Sequence, residues 1–421
     1  MEMRMKGRHR HFEAPKRKIP ILSIFLIIFV SIIGAGGHSQ TAMGFETEVG
    51  VTEDTIKIGT FAPFSGRAAL YGKIDHSVQI VYRYINEEGG IHGRKLEIIT
   101  EDTGCDPKGA IAAVKKLIHE DKVFMLHGGN CSNAVLAAKE EIVKSGIPYM
   151  IQGATLGALT KPVVKNIFTT ILTSDEIADA VVDFVLSKPN VKRIAIVKTK
   201  DPWGMAMYEP GMKKLKNRGL TPVVDLDIAA GTTDATSLLF QIKKADPEVI
   251  ILFAYPAETT VFMKGMNKLG LDYFCAGRAT SPLEIYERTG SWDVAKHYAS
   301  ESGFRVNFDH PEFLKWTYLL NKYYPKDKVE NLAFLCTAGA QVVVEALKRA
   351  GRDLTREKFI DALNNIRDFE TGITHPISIS PSDHRGLKKG SLAIAVKVDN
   401  VVTQPLVSDW NQLVRLRPEY K

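Results

Sequence analysis

Gly128-Gly129-Asn130-Cys131-Ser132-Asn133 sets a thiol, a hydroxyl and two amides on neighbouring residues, a group that could serve a cysteine nucleophile. Such a thiol needs a His or basic partner to lower its pKa. The sequence assigns it none, and a disulfide accounts for Cys131 better. Gly66 to Ile74 resembles a phosphate-binding loop but carries five residues between its glycines and no Ser or Thr after Lys73, so it counts as a miss. No GxGxxG follows a strand, and HExxH and GxSxG are absent, so dinucleotide, zinc-protease and serine-hydrolase chemistry are not signalled. The four cysteines form no CxxC and have no His at zinc-like spacing, so no metal is expected. What is left is binding. Ser132-Asn133 opens a predicted helix, and Gly153-Ala154-Thr155 follows a predicted strand. Taken singly, such residues read as N-caps and turns. Where several such loops converge, their hydroxyls and the N–H groups of helix N-termini suit a ligand carboxylate.

The elements that would position these loops alternate along the chain. Period and composition predict strands at 55–60, 95–101, 122–126, 147–151, 193–198, 222–228, 248–255, 272–276 and 297–301. Helices are predicted between them, at 72–88, 107–119, 133–145, 176–187, 204–218, 233–245, 257–269 and 282–289. This alternation implies an α/β fold with parallel sheets covered by helices on both faces. Residues 160–174 break the rhythm, which suggests two sheets rather than one. Long helices at 310–324, 328–350 and 355–365 follow, and a β-like stretch closes the chain. In such sheets, ligands bind beyond the carboxyl ends of the strands.

Composition narrows the class. At 45% hydrophobic and 24% charged, the chain is globular rather than disordered. Residues 1–18 hold seven Lys/Arg against two Asp/Glu, so they carry +5 of the +7 formal charge, and no nucleic-acid partner is expected for the remainder. That basic head precedes the apolar run beginning Ile19-Pro20-Ile21 and a small-residue zone reaching Ala42. The order matches a signal peptide spanning 1–42, with an uncleaved membrane anchor as the competing reading. Export permits disulfides. Cys105 and Cys131 each lie just after a predicted strand, with a helix between, and adjacent parallel strands would bring them together; two free thiols is the alternative. Cys275 and Cys336 read as buried apolar residues.

From about residue 52 to 410 the chain resembles the periplasmic substrate-binding proteins of branched-chain amino acid type ABC transporters. The similarity is carried by IKIGTFAPFSG, INEEGGIHGR, EDTGCDP, Cys131-Ser132, Gly153-Ala154-Thr155, DPWG at 201–204 and HRGLKKG…DW. The resemblance implies the type I periplasmic-binding fold: two doubly wound Rossmann-like lobes joined by three hinge crossings, 52–173 plus 303–385 and 174–302 plus 386–421. It implies a non-enzymatic receptor, without cofactor, that captures a small carboxylate-bearing ligand by lobe closure and delivers it to a membrane permease. A monomer in the periplasm is expected, and a sensor of the same fold signalling to a partner protein is the alternative. Carried over residue by residue, Cys131 takes part in a disulfide, Ser132 contacts the ligand carboxylate, and Gly153 and Thr155 offer a carbonyl and a hydroxyl. Tyr71 matches the aromatic of the first loop, and Trp203 and Tyr255 fall where lobe two presents aromatics. One departure stands out: Ala279 occupies the position where amino-acid binders carry an acid for the ligand ammonium, with Glu284 the nearest carboxylate in sequence. Burying an ammonium without a carboxylate partner costs several kcal/mol. Arg67 and Arg278 flank the site instead, and with Tyr71, Trp203 and Tyr255 they suit a carboxylate on an aromatic or apolar body.

Overall fold

Fully buried apolar runs such as 194–197 and Val249–Phe253 are the cores of parallel strands covered on both faces. The computed structural model describes residues 48–278, 280–307, 309–327 and 331–421. The predicted signal segment, Ala279 and the side chain of Arg67 lie outside these described residues.

The first sheet consists of β1 (Thr55–Ala62), β2 (Lys95–Asp102), β3 (Met125–Gly128), β4 (Tyr149–Ile151) and β5 (Ile167–Thr169), in the order β2-β1-β3-β4-β5 and all parallel. The second contains β6 (Ile194–Lys198), β7 (Val224–Asp227), β8 (Val249–Phe253), β9 (Cys275–Arg278), β10 (Tyr298–Ser302), β11 (Ser391–Ile394) and β14 (Leu406–Val407), in the order β14-β11-β10-β9-β8-β6-β7. Of its two late strands, β11 runs antiparallel to β10, and β14 runs antiparallel to β11. β12 (Val396–Val398) and β13 (Val401–Thr403) form a separate ribbon.

On the first sheet lie α1 (Lys73–Glu87), α2 (Pro107–Lys115) and α3 (Ser132–Ser145). On the second lie α4 (Ser174–Leu186), α5 (Pro202–Asn217), α6 (Thr236–Ala245), α7 (Pro256–Lys268), α8 (Pro282–Thr289) and α9 (Trp292–Ala295). Then come α10 (Pro311–Tyr323), α11 (Leu335–Ala350), α12 (Arg356–Asn364) and α13 (Trp410–Leu416). Phe313, Phe334, Val343 and Phe359 from α10 to α12 share one core with Ile58, Val78 and Phe168 of the first sheet's layer. Leu387, Leu392, Trp410 and Leu413 instead join the core of the second sheet. The chain thus passes from one sheet's core to the other after β5, after β10 and again before β11, giving two Rossmann-like lobes.

Three sequence expectations are corrected. The segment 160–174 contains β5, an edge strand too short to register as a periodic run. Cys105 and Cys131 are joined in a disulfide with Cα atoms 5.6 Å apart, but their strands are not adjacent, because β1 runs between β2 and β3. The bridge therefore spans the end of β1. Finally, α11 starts at Leu335 after a short turn at Asn331–Phe334, later than the expected 328. Among the described residues no helix is long and apolar enough to cross a membrane.

Candidate functional site

The loops that end β1, β3 and β4 in lobe one and β6, β8 and β9 in lobe two carry the predicted site residues, at the carboxyl edge where parallel sheets receive ligands. Local sequence explains how each is held. Asp201 accepts the Gly204 N–H at 2.9 Å as the N-cap of α5, and Pro202 follows at the first helical position. Trp203 is therefore fixed in the first turn. Tyr255 sits at the start of α7, before Pro256. Ser132 is the first residue of α3, whose N-terminus has no side-chain cap. Its hydroxyl instead accepts the Thr155 N–H at 3.1 Å.

Thr155 is the junction of the site. Its hydroxyl shares a 3.0 Å hydrogen bond with Ser174, and its carbonyl accepts the Ser174 N–H at 2.7 Å. Across the cleft, the Trp203 indole Nε1–H donates to Thr155 Oγ1 at 3.1 Å. Trp203 stacks on Tyr255 with ring centroids 4.5 Å apart and planes 17° apart, and the Tyr255 hydroxyl donates to Asp201 Oδ2 at 2.5 Å. Burial and that carboxylate hold the phenol's pKa far above its ordinary value. Ser132, Thr155, Trp203 and Tyr255 thus form one connected strip from lobe one to lobe two.

Gly153 and Tyr71 join it through Asn130. The Asn130 amide donates to the Tyr71 carbonyl at 3.1 Å, and a Cβ on Gly153 would come within 2.4 Å of Asn130 Oδ1, so a larger residue there would displace the Asn130 side chain. Arg278 is placed apart from the strip, at the end of β9. Its Nη1 donates to Glu301, and both side chains are buried. Among the described residues this is the guanidinium's one hydrogen bond, out of five N–H donors. Burial raises the Glu301 carboxyl's pKa and Arg278 opposes the shift.

Sequence reasoning missed several participants. Asn130 and Asp201 lay inside stretches already singled out, so their side chains were within reach of inspection. Glu301 was not, because it sits in a strand otherwise read as core. His127 stands four residues before Cys131, yet its ring is buried on the α1 side and shares a 2.6 Å hydrogen bond with the Tyr82 hydroxyl. It supplies no base to the disulfide-bonded Cys131. Glu284 is spent in a capping box with Ser281 at the start of α8 and on the Thr280 hydroxyl at 2.9 Å. Among the described residues no cluster of three or more His, Cys, Asp or Glu is arranged to hold a metal ion.

Residues 55–398 match the sequence profile of a family described as periplasmic binding protein. The chain is similar to the Leu/Ile/Val-binding protein homolog 7 of Brucella abortus, 25% identical over 343 residues that span 76% of this chain and 83% of that protein. Two solved structures share the fold. One is the branched-chain amino acid transporter substrate binding protein LivJ from Streptococcus pneumoniae in complex with isoleucine, with TM-score 0.71, 21% identity and coverage of 84% and 100%. The other is a solute binding protein of an ABC transporter from Rhodopseudomonas palustris in complex with p-hydroxybenzoic acid, with TM-score 0.72, 20% identity and coverage of 84% and 96%.

Proposed function

Since this chain belongs to the periplasmic binding protein family, we propose that it captures a small carboxylate-bearing ligand, an amino acid or an aromatic or aliphatic organic acid, and delivers it to an ABC permease. Membership of the family implies an extracytoplasmic location; export through residues 1–42 into a periplasm belongs to the proposal. The lobes are taken as 52–173 plus 303–385 and 174–302 plus 386–421, closing as a hinge about the three crossings. Binding leaves the ligand chemically unchanged.

The observation that carries the anionic ligand is Arg278. A guanidinium that is 5% exposed and bonded to one carboxylate oxygen retains donors for a second anion, and Arg binds carboxylates with two parallel hydrogen bonds. Ser132 and the uncapped start of α3 supply neutral donors on the facing lobe. The Trp203–Tyr255 stack offers a flat wall to an apolar or aromatic body.

Thermal unfolding of the purified protein against leucine, isoleucine, and aromatic and aliphatic acids without an amine tests this reading. A true ligand at 100 times its Kd adds about 2.7 kcal/mol. No shift with any of them contradicts the proposal, and recovery of the bound compound unaltered separates binding from turnover.

A further inference from the structure

Helix α4 belongs to lobe two by its packing: Ile177, Ala178, Val181, Val182 and Val185 lie in the core of the second sheet. Its first turn, however, is bonded to lobe one, residue by residue. The Ser174 N–H donates to the Thr155 carbonyl at 2.7 Å, and the two hydroxyls share a 3.0 Å hydrogen bond. Asp175 is paired with Lys161, from the segment between β4 and β5. Glu176 Oε1 accepts from Arg385 Nη1 at 2.6 Å. Arg385 is held beside β5 of the first sheet, where the Thr169 N–H donates to the His384 carbonyl at 3.0 Å and the Gly386 N–H donates to the Thr169 carbonyl at 2.7 Å. The rest of its guanidinium grips both oxygens of Asp383, each at 2.8 Å, and Lys388 shares that carboxylate. The Arg385 and Glu176 side chains are 18% and 16% exposed.

Starting a helix requires none of these cations. Thr173 and Glu176 already form a capping box, with Glu176 Oε2 accepting the Thr173 N–H at 2.9 Å. The positive end of a helix dipole favours acids and repels Lys and Arg, so the two cations gathered here are drawn by the carboxylates. Both come from lobe one, and they meet a turn that directly follows the first crossing between the lobes. In a hinge rotation the body of α4 moves with lobe two, while Thr155, Lys161 and Arg385 stay with lobe one. We propose that the first turn of α4 is a clasp on the hinge. The Arg385–Glu176 and Lys161–Asp175 pairs hold the lobes in the arrangement that lets Trp203 reach Thr155, and they part when the lobes open. Ser174 ties the clasp to the ligand strip through Thr155. This rests on the hinge-closure reading above.

Small-angle scattering of the purified protein, with urea unfolding of the same samples, tests the clasp. Glu176→Gln removes the charge but keeps the capping box, which Gln also completes at that position. Asp175→Asn removes the other charge and keeps an acceptor for the Thr173 hydroxyl. Each should raise the radius of gyration above wild type, and the two together should raise it further. Arg385→Met should match Glu176→Gln, whereas Arg385→Lys keeps a cation and should stay near wild type. An unchanged radius in both acid variants, or lower unfolding midpoints without a change of radius, would overturn the clasp and leave the pairs a purely structural role. Titration calorimetry with leucine, benzoate and p-hydroxybenzoate separates this outcome from the ligand reading. A probe that binds wild type should bind Glu176→Gln about 3- to 10-fold more weakly, because the closed population falls. Binding by none of the three would contradict the carboxylate reading, and scattering would still decide the clasp. Should Arg385→Met fail to fold, the two acid variants decide.

Discussion

Arg278 and Glu301 show how one buried charge depends on another. Removing one partner of a buried ion pair leaves an uncompensated charge, at about 3–5 kcal/mol, whereas replacing both with apolar residues is often neutral or stabilising. Arg278→Met should therefore destabilise the protein by about that amount, and Arg278→Met combined with Glu301→Leu should recover most of it, as read by urea unfolding. If the double variant is as unstable as the single one, the pair is held by contacts other than its charge. Trp203 makes a different commitment. Its indole N–H bonds Thr155 of the other lobe. Trp203→Phe keeps the stack on Tyr255 but removes that bond, so the lobes should open more readily. Small-angle scattering of the unliganded variant should give a larger radius of gyration than wild type, and an unchanged radius would mean that the bond does not hold the lobes.

At the scale of elements, close packing of strands decides which residues are permitted. Gly128 at the end of β3 lies so near β1 that an added Cβ would fall 2.5 Å from the Phe61 backbone nitrogen. Gly128→Ala should cost about 1–3 kcal/mol by forcing the two strands apart, and denaturant midpoints equal to wild type would contradict it. Elements with long apolar periods were legible in advance: the spans expected for α1, α3, α5 and α8 and for β1, β2 and β6 differ from those found by at most two residues at either end. β5 was not legible, because its place is set by pairing with β4. The same holds for the order β2-β1-β3, which rests on long-range pairing that no local pattern encodes.

For the molecule as a whole, proton binding and the disulfide set the conditions of stability. Burial pushes the His127 pKa down to about 3, while an unfolded His titrates near ~6.5. Between those values the unfolded chain holds the extra proton, so this residue's effect is a loss of stability as pH falls through that window, at up to about 1.4 kcal/mol per pH unit. Asp75 and Glu301 have raised pKa values and act in the opposite sense, losing stability as pH rises above the ordinary carboxylate range. Relative to wild type, His127→Gln should gain about 3 kcal/mol between pH 6.5 and 4; parallel stability curves would show that His127 is not neutral in the fold. The Cys105–Cys131 bridge closes a loop of 26 residues, and Cys105→Ser with Cys131→Ser should cost about 3 kcal/mol, measured by chemical unfolding. What the sequence alone determined was the α/β class and where its strand-ending loops fall, because both are written in local period and turn chemistry. What only the tertiary structure decided was which side chains face each other. The Trp203–Thr155 bond and the Arg278–Glu301 pair join residues 48 and 23 positions apart. Their meeting follows from strand order and lobe packing, which arise when the whole core is buried at once.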